Sequence, residues 1–122
     1  MLGTIAYEAI QKYRPQLDAL SRNIWEHPEG PFVEYQACQW TAELLEQAGF
    51  HVETGVFGLP TAIMATWGSG HPIIGLMGEY DALPGLSQAL SPEEQPNAGQ
   101  KYGHGCGHNL LDAAHVGAAI GL

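Results

Sequence analysis

Gly103-His-Gly-Cys-Gly-His-Asn109 constrains this chain more than any other stretch. Three side chains able to bind metal or do acid–base work, His104, Cys106 and His108, are separated there by single glycines. Glycine tolerates positive φ, so such a run can turn sharply and bring neighbouring side chains towards one point. An apolar, helix-like stretch from Leu110 to Leu122 follows at once. The candidate ligands therefore fall at or just before a helix N-terminus, where the helix dipole favours anions. Thiolates and imidazoles are the common protein ligands of zinc-like divalent ions.

The rest of the chain supplies a frame for that junction. Ile10, Tyr13, Leu17, Leu20 and Ile24 recur at spacings of three and four, the pattern of one apolar helix face. Pro15 lies inside this run, and a proline removes one helical hydrogen bond, so a kink or a fresh helix start is expected there. His27-Pro-Glu-Gly-Pro31 is a loop, whose acids, with Glu34, serve capping and loop structure. A second helix is expected from Glu34 to Ala48, with Cys38, Leu44 and Leu45 inward and Gly49 as its stop. Phe50–Gly55 and Thr61–Trp67 read as strands. Gly68–Pro72 reads as a turn into a third strand, Ile73–Gly78, apolar enough to be buried on both faces. A long loop spans Asp81 to Tyr102. The order gives an α/β fold, a mixed sheet flanked by helices.

The chain has 122 residues, enough for one small domain, and a formal net charge of −9. Its four cations, Lys12, Arg14, Arg22 and Lys101, are too scattered to make a basic patch, which argues against nucleic acid or an anionic membrane as partner. No basic-plus-apolar leader opens the sequence, and two cysteines do not make a disulfide framework, so a reducing, cytoplasmic setting is expected. The sequence stops at Gly121-Leu122 inside a helix pattern, which suggests the N-terminal piece of a longer protein.

Glu79 and Asp81 follow the third expected strand, and in extended backbone they would share a face. Either could orient a metal-bound histidine. Two chemistries remain open for the glycine-rich junction: Cys106 and His108 as metal ligands, or Cys106 as a nucleophile with His108 or His104 as its base. Phosphate binding is disfavoured, because Gly103, Gly105 and Gly107 lack the dinucleotide spacing. His115, two helical turns after His108, reads as a packing or surface histidine.

Four segments in this order carry a further likeness: Ile24-Trp-Glu-His-Pro-Glu29, Leu44 to Val52, Gly78-Glu-Tyr-Asp-Ala-Leu-Pro-Gly-Leu-Ser-Gln88, and Gly103-His-Gly-Cys-Gly-His-Asn-Leu-Leu111. Together they resemble the aminoacylase and carboxypeptidase-G class of metallopeptidases, most closely its aminobenzoyl-glutamate hydrolase branch. The resemblance implies a two-metal site, zinc or manganese, in a catalytic α/β domain that hydrolyses amide bonds of N-acyl amino acids, aminobenzoyl-glutamate-like compounds or dipeptides. By position, Cys106 and His108 resemble metal ligands and Asp81 the aspartate beside the metals, a catalytic role. Glu79 and Asn109 fall where a supporting or substrate-contacting role is implied, whereas His104, on the residues alone, reads as a pocket-shaping or substrate-contacting group or as a solvated loop histidine. Asn109 and Asp112 depart from the auxin-conjugate hydrolase pattern. The resemblance also implies that a glutamate base, further ligands and a dimerisation domain lie outside these 122 residues. The expectation is then an inactive isolated piece of an enzyme that is a dimer or hetero-oligomer when whole. A non-catalytic binding module is the remaining alternative.

Overall fold

The structure is a computed structural model and describes residues 1–122. Three helices, α1 (Leu2–Glu26), α2 (Tyr35–Gln47) and α3 (His108–Gly121), pack around one apolar core. Two antiparallel two-stranded ladders complete it: β1 (His51–Thr54) with β2 (Ile63–Thr66), and β3 (Leu83–Pro84) with β4 (Tyr102–Gly103). The α/β expectation holds.

Leu17, Leu20 and Ile24 of α1 are buried against Ala37, Leu44 and Leu45 of α2 and Val116 of α3. The α1 positions are those that the three–four spacing selects. Each fully buried aliphatic side chain contributes on the order of 2 kcal/mol, so this cluster outweighs the one helical hydrogen bond lost at Pro15. That is why α1 runs unbroken through the proline, where the sequence predicts a kink or a new start. Gly117 lets α3 approach α1 closely: a Cβ there would sit 3.1 Å from Leu17 Cδ1. No helix is long and apolar enough to cross a membrane.

β1 and β2 form where alternation indicates, with His51 opposite Thr66 and Thr54 opposite Ile63. Their connection includes a single 3-10 turn at Val56–Gly58. The third expected strand does not form, and no mixed sheet is built: Ile73–Gly78 pairs with nothing, and Ile73 and Met77 are 79% and 86% exposed. Apolar content licenses burial, but a strand exists only beside a hydrogen-bonded neighbour. Within this chain none is offered to it. An exposed run of this kind promotes association between molecules. We expect Ile74→Lys combined with Met77→Lys to lower the apparent mass of the chain in concentrated solution, measured by light scattering, without changing its helical circular dichroism.

The ends of the long loop are pinned together. Leu83 faces Gly103 and Pro84 faces Tyr102 in the second ladder. Between them Gln88 organises the loop from inside: its amide N–H groups donate to the carbonyls of Ala89, Ser91 and Glu93, and its Oε1 accepts the Gln95 N–H. This ladder brings the Glu79–Asp81 segment and the glycine-rich junction side by side.

Candidate functional site

His108 is the first residue of α3, with Gly107 as its cap at φ 70°. Its imidazole lies between the two carboxylates that the alternation argument singles out. Nδ1 is 2.8 Å from Asp81 Oδ1 and 3.0 Å from the Asp81 carbonyl oxygen. Nε2 is 3.3 Å from Glu79 Oε2. Both partners of Nδ1 are acceptors, so Nδ1 carries the proton and donates. A neutral ring then presents the Nε2 lone pair to a carboxylate oxygen. Two lone pairs at that separation repel unless positive charge, a proton or a cation, is shared between them.

Cys106 is an exposed free thiol two residues before His108. Imidazole, carboxylate and thiol are donor types that zinc-like divalent ions take. No group of three or more His, Cys, Asp or Glu side chains is converged on one point here, so the donor set fits a metal in part. A catalytic zinc needs three protein ligands and an open position.

The other candidates separate. His104 turns towards the end of α1, where Nε2–H donates to the Ile24 carbonyl at 3.1 Å, one of the carbonyls a helix leaves unpaired. Its Nδ1 is buried without a partner, and burial pushes the imidazole below its ordinary pKa. Asn109 is buried, and its amide donates to the Ser21 carbonyl and hydroxyl, both at 3.2 Å, joining α3 to α1. His115 bonds its own helix at the Leu111 carbonyl.

The glycines act differently from the expectation. Only Gly107 of the three has positive φ. Gly103 is required by close approach instead, since a Cβ there would overlap the Leu86 carbonyl; one on Gly105 would lie 2.6 Å from Leu86 Cδ1, the movable end of an exposed side chain.

The acids of the His27–Glu34 loop do cap and brace. The Glu29 carboxylate accepts the N–H groups of Gln36 and Ala37 at the start of α2, at 3.0–3.1 Å, where the helix dipole favours an anion. The Glu29 carbonyl accepts the Ala82 N–H at 2.8 Å, which ties this loop to the site segment.

Two groups, one half-buried and one buried, carry no local mark in the sequence. Tyr80 donates its hydroxyl to the Thr61 carbonyl, and burial pushes its phenol well above the ordinary range, so it stays a donor. Asp112 is buried and accepts the Thr41 hydroxyl at 2.8 Å. Burial pushes its carboxyl up to about 6, against the opposing pull of the Thr41 bond and of His115. Its place is legible only once the helix is phased: Asn109, Asp112 and Val116, at spacings of three and four, define the buried face of α3.

No family model matches the chain, and no solved structure matches it. Curated proteins do. The chain is 42% identical over 116 residues to one of the subunits of the p-aminobenzoyl-glutamate hydrolase of Escherichia coli, covering 94% of this chain and 24% of that protein. It is 35% identical to the Xaa-Arg dipeptidase of Mus musculus, over 100% of this chain and 27% of the relative. To thermostable carboxypeptidase 2 of Saccharolobus solfataricus it is 34% identical, over 82% and 25% respectively. It spans about a quarter of the length of these relatives. Identity at this level along nearly the whole chain places it: the chain belongs to the aminoacylase and carboxypeptidase-G class of peptidases.

Proposed function

We propose that the whole protein hydrolyses the amide bond of N-acyl amino acids, aminobenzoyl-glutamate-like compounds or dipeptides, using one or two divalent ions, zinc or manganese. One observation carries the reading: the His108 ring is held by Asp81 on Nδ1 and faces Glu79 with Nε2, one glycine away from the exposed Cys106 thiol. The names of the relatives, an aminobenzoyl-glutamate hydrolase, a dipeptidase and a carboxypeptidase, all describe amide hydrolysis.

Cys106 and His108 would hold the ion, with Glu79 close enough to contribute a carboxylate oxygen. A divalent ion bound there supplies Lewis acidity to the scissile carbonyl and to water. Asp81 sets the tautomer and orientation of His108, which is the usual office of a carboxylate behind a ligating histidine. The general base and the remaining ligands belong to the three-quarters of the relatives' length that this chain does not span. The 122-residue chain alone is therefore proposed to bind metal weakly and to turn nothing over.

The test is hydrolysis of p-aminobenzoyl-glutamate and of dipeptides by the full-length protein. Activity should disappear with a chelator and return with zinc or manganese. Cys106→Ala and His108→Ala should each lower kcat/KM by about 100-fold or more. Activity that survives the chelator but is lost on alkylating Cys106 would establish a thiol hydrolase instead. Turnover by the 122-residue chain alone would contradict the proposed division of the site.

A further inference from the structure

Tyr80 lies between the two carboxylates that meet His108, and its side chain goes the other way, as alternate residues of extended backbone do. Its hydroxyl donates to the Thr61 carbonyl, beside the buried Cys38 thiol. The Thr61 hydroxyl donates to Glu34 Oε2 at 2.6 Å. Glu34 is itself buried, its other oxygen accepts the Phe32 N–H at 2.9 Å, and it stands at the N-cap position of α2. The chain from Tyr80 to the start of α2 is thus continuous and each polar side chain in it has a partner. Two residues on, the Ala82 N–H is held by the Glu29 carbonyl. By contrast, the carboxylates of Glu79 and Asp81 have no side-chain partner except His108. What sets their position is the backbone that carries them, and that backbone is fastened at 80 and 82.

We infer that Tyr80 is a positioning residue: through Thr61 and Glu34 it fixes where Asp81 and Glu79 meet the His108 imidazole. The role rests on reading His108 and its two carboxylates as the site, and it concerns geometry alone. It touches neither substrate nor ion.

The experiment is nuclear magnetic resonance of the 122-residue chain, following the His108 Nδ1 proton that Asp81 accepts. In the unaltered chain His108 should be the Nδ1–H tautomer with that proton protected from exchange. Tyr80→Phe removes one half-buried, hydrogen-bonded hydroxyl and keeps the ring. It should speed exchange of the His108 Nδ1 proton about tenfold, the worth of roughly one hydrogen bond, while backbone amides in the middle of α1 and α3 keep their protection. Thr61→Val cuts the link to Glu34 and should act in the same direction. Thr61→Ser, which keeps the hydroxyl, should restore protection. If the His108 proton is unchanged in both Tyr80→Phe and Thr61→Val, or if the α1 and α3 amides lose protection by the same factor, the positioning role is overturned. Failure of the functional reading would look different: His108→Ala in the full-length protein would then leave activity intact, whatever the proton at 108 does.

Discussion

Alanine at position 103 is expected to destabilise the chain by about 3 kcal/mol or more. Gly103 is buried, and its neighbour in the ladder is Leu83. A Cβ there would overlap the Leu86 carbonyl oxygen and come within 2.6 Å of Ser87 N. Both are backbone atoms, so no rotamer change relieves the overlap. Either β3 and β4 part or the loop from Leu83 to Tyr102 moves, and His104 moves with it. Gly3→Ala is the natural control: nothing lies within 4 Å of a Cβ there, and in a helix the change is expected to stabilise slightly. Urea unfolding of the two variants checks this directly. Equal midpoints for Gly103→Ala and the unaltered chain would mean that the junction and Leu86 are not packed as described.

Replacing Asp112 by asparagine is expected to do the opposite at neutral pH. Burial has raised this carboxyl from 3.8 to about 6, so the folded chain binds its proton more tightly than the unfolded chain does. The sign follows from linkage. Below about pH 4 the group is protonated in both states and costs nothing; as pH rises through about 6 the folded state must carry a buried charge, and stability is lost. About two pKa units correspond to roughly 3 kcal/mol. Asparagine has no charge to bury, and its oxygen can still accept the Thr41 hydroxyl. Asp112→Asn should therefore raise the melting temperature at pH 7 by on the order of 10 °C. The difference between variant and unaltered chain should shrink towards zero as pH falls from 6 to 4. A difference that is flat with pH would place Asp112 in water rather than in the core.

What is legible in the sequence follows a physical line. The buried faces of α1 and α2 are local properties, because positions three and four apart share a face whatever the helix packs against. Leu17, Leu20, Ile24, Cys38, Leu44 and Leu45 can therefore be read as core before any fold is known, and all are buried. The pairing of Glu79 with Asp81 on one side is legible for the same reason, through the two-residue period, and both reach His108. Ile73–Gly78 misleads because apolar composition says that a segment can be buried and not which neighbour covers it. Pro15 misleads because a single missing helical bond is small beside the packing of α1 on α2 and α3. The glycine at 103 suggests the wrong reason, since its need arises from the Leu86 backbone, far along the chain. Tyr80, Thr61 and Glu34 are invisible as a set: their contacts span 19 and 27 residues, and no local period encodes them.

Cys106 and His108 are proposed to share an ion. Cobalt(II) added to the purified 122-residue chain tests it without requiring turnover, because a thiolate bound to cobalt gives a ligand-to-metal charge-transfer absorption. The absorption should appear with the unaltered chain, vanish in Cys106→Ser, weaken strongly in His108→Ala and persist in Cys38→Ser. A band that survives Cys106→Ser, or that His108→Ala leaves untouched, would contradict the account.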